Sequence, residues 1–152
     1  MSARHESRLL AVQFLFQRDF NDGDLADALA DFWAARNIGP KLRAFAEDLI
    51  RGVEAVRPEL DERLRALATN WDLSRMAAVD RNILRLALYE MHHRADIPPV
   101  VSMNEAIDLA KEFGGRESGR FVNGILDRAA KDVKRPARCA APDPRLLAGG
   151  GE

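Results

Sequence analysis

Apolar residues recur along this chain at three- and four-residue intervals in one stretch after another, and no run of strand-like alternation of useful length appears. Leu9, Val12, Phe16 and Phe20, with Ala11, Phe14 and Leu15 alongside, give a first helix a broad apolar face. Asn21-Asp22-Gly23-Asp24 ends it and can cap a second, which runs to about Arg36 with Leu25, Leu29, Phe32 and Trp33 inward. Gly39-Pro40 breaks the chain again. Leu42, Phe45, Ala46, Leu49, Ile50 and Val53 then mark a third helix, and Pro58 opens a short fourth with Leu60, Leu64 and Leu67.

Thr69-Asn70-Trp71-Asp72 reads as a connector, and Ser74 as the cap of a short turn. From Ala77 to about Arg94 the chain is apolar round most of a helix, which predicts the centre of a bundle. Asp96 and Pro98-Pro99 stop and restart the helix. Val100, Met103, Ile107, Ala110 and Phe113 make the next stripe, with Asn104, Glu105, Asp108, Lys111 and Glu112 mostly on its outer side. Gly114-Gly115 ends it. A last helix carries Val122, Ile125, Leu126, Ala129 and Val133 inward. The expected fold is all-α: about seven helices in two packed sub-bundles, roughly 1–69 and 70–134, within one domain spanning 1–134. The proline- and glycine-rich end, 135–152, reads as a disordered tail.

Composition narrows the function classes. A chain of 152 residues, 47% apolar and 31% charged, suits one globular domain. Its lone cysteine, Cys139, excludes a disulfide framework or a zinc set. No apolar run is long enough to cross a bilayer, and residues 1–7 lack a signal-peptide pattern, so the default expectation is a cytoplasmic protein without membrane contact. The formal charge of -1 opposes a stand-alone nucleic-acid binder. Either RNA is not the ligand, or cations are clustered locally, or a basic partner supplies the missing charge.

No catalytic or metal-binding set emerges, and no cofactor motif. His92 and His93 are neighbours, about 100° apart on a helix, and make a poor metal pair. Asp80 and Arg81, near the start of the buried helix, read as structural. The segment from Gly114 to Arg120 admits two readings. Arg116 and Arg120 could hold a phosphate at a helix start, although Glu117 opposes this; the alternative is an ordinary interhelix turn. Phe113 and Phe121 flank that loop. Phe121 falls about 100° off the inward stripe, so it is either a stacking surface for single-stranded RNA or a loop-packing ring. Arg128, Lys131, Lys134, Arg135 and Arg138 form a second basic region, opposed by Asp132.

The combination of motifs is specific. Asn70-Trp71-Asp72-Leu73-Ser74-Arg75 precedes Asp80-Arg81-x-Ile83-Leu84-Arg85-Leu86-Ala87-x-Tyr89-Glu90. Then follow Asp96-Ile97-Pro98, Asn104-Glu105-Ala106, Leu109-Ala110-Lys111-x-Phe113-Gly114 and Phe121-Val122-Asn123-Gly124-Ile125-Leu126-Asp127. In this order and spacing they resemble the NusB family of bacterial transcription antitermination factors, most specifically over residues 70–128 and more weakly at Ala11 to Phe16.

The resemblance implies a helical double bundle that pairs with ribosomal protein NusE. The pair would bind the boxA element of ribosomal RNA leaders and act in the RNA polymerase antitermination complex. The family's RNA-binding positions fall here on Arg4, His5 and Arg8, on Phe113, Glu117 and Phe121, and on Arg120; Arg116 joins them from the glycine-rich segment. The partner surface falls on Phe16 and Asp80. Asn104 and Asn123 read as buried amides bridging helices.

The chain departs from the family in one respect: two arginines and an intervening Glu6 replace a denser arginine cluster at the start. RNA contact would then lean on the basic partner. A homodimer in the free state is left open. Two other readings compete: a helical protein-interaction module without RNA contact, and the NusB-like accessory domain of ribosomal RNA methyltransferases, for which the sequence offers no following catalytic domain.

Overall fold

The computed structural model describes residues 2–69 and 71–133, and every regular element among them is helical. The expected tail, 135–152, lies outside the described residues, as do Asn70, Lys134 and Cys139. Helix α1 spans Ala3–Arg18, α2 Leu25–Ala34, α3 Pro40–Ala55 and α4 Arg57–Leu67. A short 3-10 turn, Leu73–Arg75, leads into α5, Ala78–His93, and α6 runs over Pro99–Ala130.

Helix α1 begins well before its apolar stripe because Ser2 caps it. The Ser2 hydroxyl accepts a hydrogen bond from the His5 amide at 3.1 Å, satisfying one of the orphan donors of the first turn. Arg4, His5 and Arg8 therefore stand on the helix itself. At the other end α1 stops at Arg18, so Phe20 lies beyond it and is exposed rather than inward-facing. Asp24 caps α2 through the Asp27 amide. Pro40 and Pro58 sit in the first turns of α3 and α4, where the missing N–H costs nothing.

The expected stop at Gly114-Gly115 is a break rather than an end. Gly115 has φ 81° and ψ −166°, a conformation that strains any residue with a Cβ, and it divides α6 into two helical halves without a connecting loop. The count is thus six helices among the described residues, with the sixth broken.

Helix α5 is the centre. It packs along α6 and also touches α1, α3 and α4, while α1 lies along α3. Leu49, Ile50, Leu60, Leu64, Leu84, Leu88 and Leu126 are fully buried in one continuous core that joins the two groups of helices. Helix α2 closes the first group through Phe32, packed edge-on against Phe14 at 5.3 Å.

A polar knot fixes the end of α1 to α4 and α5. Asp19 accepts from Arg81, Asn82 and Arg85 at 3.0, 2.8 and 3.1 Å and pairs with Arg57. Arg85 also grips Asp61 through two bonds of 2.7 and 3.1 Å. Burial alone would raise the Asp19 carboxyl, but hydrogen bonds from Arg81 and Asn82, with the charges of Arg85 and Arg57, hold it below the ordinary carboxylate range.

Candidate nucleic-acid interface

Two regions carry the residues that the sequence singles out, and their electrostatics differ. At the start of α1, Arg4 is exposed, with its guanidinium 4.6 Å from the centre of the Phe45 ring. Arg8 is buried, 2% exposed, and bidentate to Glu90 at 2.9 and 2.9 Å. Ser102 donates to the same carboxylate at 2.7 Å. His5 is buried between two carboxylates of α6, with Nδ1 at 2.5 Å from Glu105 and Nε2 at 2.8 Å from Glu112. Burial opposes its charging, but the hydrogen bonds and charges of those two glutamates more than offset this and raise its pKa above the ordinary value.

His5 and Arg8, which the resemblance assigns to RNA contact, are thus both engaged with carboxylates of the chain itself. The helix starts at Ala3, its first two turns lie against α5 and α6, and both cations are consumed by internal carboxylates.

At the break in α6 the pattern reverses. Phe113, Arg116, Glu117 and Arg120 are exposed and Phe121 is half-buried. Arg116, Arg120 and Lys131 form no ion pair with a carboxylate among the described residues. Arg128 donates to the Leu67 carbonyl at 2.8 Å and likewise has no acidic partner among them. The two phenylalanines do not share a site. Phe121 meets Trp71 edge to face, with ring centres 5.2 Å apart. Phe113 turns instead toward α1, where with Val12, Gln13, Phe16 and Val79 it lines a groove of about 340 Å³.

Phe16, the expected partner residue, thus stands beside Phe113, and its exposed edge continues into Phe20 at 5.2 Å. Asp80 is close to that groove in sequence but nearly covered, 8% exposed, in the first turn of α5. Its carboxylate accepts from Ser118 at 3.4 Å and has no cationic partner among the described residues. Burial pushes its pKa up, and the Ser118 hydroxyl only partly counters this.

Other expectations fare variously. Asn104 and Asn123 are exposed, not buried: both fall on the outer faces of the halves of α6, and the bridging amide is Asn82. His93 bonds to Glu59 at 2.8 Å and stacks on Tyr89, while burial lowers the pKa of His92. Among the described residues no group could hold a metal ion, and no helix is long and apolar enough to cross a membrane. Lys134, Arg135 and Arg138 lie outside the described residues. Sequence reasoning passed over Trp71, read as part of a connector; a bulky aromatic within a polar connector was the signal.

Residues 5–131 match the model of the NusB family. The chain is 47% identical over 138 residues to a transcription antitermination protein NusB of Trichlorobacter lovleyi, covering 89% of this chain and 97% of that protein. It is 41% identical over 140 residues to the protein of that name from Myxococcus xanthus, covering 90% and 100%. A solved structure of T. maritima NusB superposes with a TM-score of 0.77 at 38% identity, over 87% of this chain and 93% of that one. A structure of antitermination factors NusB and NusE in complex with dsRNA has a TM-score of 0.78 at 23% identity, over 87% and 98%, which is a likeness of fold.

Proposed function

The chain belongs to the NusB family, and on that premise we propose that it is a transcription antitermination factor that binds boxA RNA together with ribosomal protein NusE. It acts in the cytoplasm as a subunit of the RNA polymerase antitermination complex, by binding and not by catalysis. We read residues 1–134 as one domain, because a single core runs through both groups of helices.

The observation that carries the RNA reading is that Arg116 and Arg120, on the later half of α6, form no ion pair among the described residues and lie on the same helix half as the partly exposed Phe121. Arg116 and Arg120, with no carboxylate partner among the described residues, can meet phosphates, and Phe121 offers a ring to an unpaired base. Arg4 extends the cationic surface from α1, and Glu117 tunes it by opposing over-close approach of phosphate. His5 and Arg8 act indirectly, by holding the start of α1 in place.

The partner surface is the groove between Phe16 and Phe113. A basic protein placed there would lie beside Asp80, the neighbour of the groove residue Val79, whose buried carboxylate has no cationic partner among the described residues and gains from a cation. Such a partner also answers the near-neutral charge of the chain, since it brings the phosphate contacts this chain lacks.

The test is a gel-shift series over a range of salt. Adding NusE is expected to raise affinity for boxA RNA at least tenfold, on the order of 1.4 kcal/mol. Equal binding of the pair to boxA and to scrambled RNA would refute the assignment.

A further inference from the structure

Of the two tryptophans, Trp33 is buried, whereas Trp71 stands 56% exposed beside Phe121. We infer that Trp71, Phe121, Gly124 and Arg128 form a stacking site for an unpaired base of single-stranded RNA, with the indole as its main face. This rests on the RNA reading above and extends it to the loop of residues 71–76.

The two rings meet edge to face at 71° rather than stacked, and with Trp71 more than half exposed much of the indole is left in water. That surface is held in place. The Trp71 amide donates to the Ala68 carbonyl at 2.9 Å, and the Arg75 and Met76 amides donate to the Asp72 carbonyl at 2.9 and 3.2 Å. The Asp72 carboxylate accepts from the Ser74 amide at 3.0 Å, and Arg81 donates to the Leu73 carbonyl at 3.0 Å. A ring presented by an ordered loop loses little freedom when a ligand stacks on it.

Gly124 widens this surface along α6. It stands inside a helix, where glycine is unfavourable, yet a Cβ built there meets nothing within 4 Å. Packing among the described residues therefore gives no reason for it. It lies one turn beyond Phe121 on the same side of α6, and leaves bare helix surface where a ligand can pass close to the backbone.

Arg128, two turns beyond Phe121, completes the site. Its guanidinium is tied to the Leu67 carbonyl at the head of the same loop and carries no acidic partner among the described residues. An aromatic face, a bare helix surface and a fixed cation suit a base and its phosphate.

The experiment uses the full chain with NusE, boxA RNA and an unrelated single-stranded RNA as probes, and tryptophan emission as readout. RNA is expected to quench the wild-type emission, and to leave Trp71→Phe, which keeps only Trp33, unquenched. Trp71→Ala is expected to lose about tenfold in RNA affinity, as base–aromatic stacking dictates, and Trp71→Phe to lose less. NusE binding measured without RNA should be unchanged in both.

Unquenched wild-type emission on saturation with boxA RNA would overturn the inference, whether or not Trp71→Ala folds. So would a loss of NusE binding in Trp71→Ala, which would make this a protein-docking surface. If the unrelated RNA quenches Trp71 as well as boxA does, and boxA is not preferred, the antitermination assignment falls and the stacking site stands.

Discussion

The start of α1 and the later half of α6 both place cations near aromatic rings, yet the first spends most of its charge inside the fold and the second does not. At the start of α1, Glu90, Glu105 and Glu112 absorb Arg8 and His5, and Arg4 alone is left, lying on Phe45. On the later half of α6 and at its cap, Arg116, Arg120, Arg128 and Lys131 form no ion pair with a carboxylate among the described residues. The difference lies in where the carboxylates sit. Glu105 and Glu112 fall in the second and fourth turns of α6 and face α1, whereas Glu117 and Asp127 point their charge into solvent. Counting arginines in a sequence thus measures potential charge; the fold decides how much of it a phosphate can feel.

The comparison breaks most visibly at Arg8. Replacing it with alanine takes the bidentate guanidinium away from the buried Glu90 carboxylate, and is expected to cost about 3–5 kcal/mol of stability. Chemical denaturation measures it. A loss below about 1 kcal/mol, the range of a surface pair, would mean that Arg8 is not the internal clamp described here.

His5 gives the next largest effect and a pH signature. Its folded pKa is raised, so its contribution is fully present below the unfolded value, near 6.5, and is lost as pH rises through the folded pKa. His5→Gln is therefore expected to destabilise by about 1–3 kcal/mol near pH 6, the scale of a charge-assisted hydrogen bond, and by much less near pH 9. Denaturation of both proteins at the two values checks it. A penalty independent of pH would show that the imidazole is held neutral.

These interior roles mark the limit of what the sequence disclosed. The helices and the central place of α5 were legible, because a periodic apolar stripe is local and α5 is apolar nearly all round. The family motifs were legible for the same reason: they are written in order along the chain. Glu90, Glu105 and Glu112 could not be matched to Arg8 and His5, since partners separated by 82 to 107 positions meet only once α1 lies against α5 and α6.

Phe113 and Phe121 illustrate the same limit. They flank one loop in sequence, but the left-handed turn at Gly115 sends one to Phe16 and the other to Trp71. Asn123 was expected inside because amides in helices often bridge; Asn82, one turn into α5 beside Asp19, holds that place instead.

The most direct test is the salt dependence of boxA binding in the presence of NusE, compared between Arg4→Ala and the double variant Arg116→Ala/Arg120→Ala. Removing one cation that neutralises a phosphate of a single strand flattens the slope of log K against log salt by about 0.7. The double variant should flatten it by about 1.4, and Arg4→Ala by no more than half as much. An unchanged slope in the double variant, with a flattened one in Arg4→Ala, would place the RNA on α1 and contradict the account.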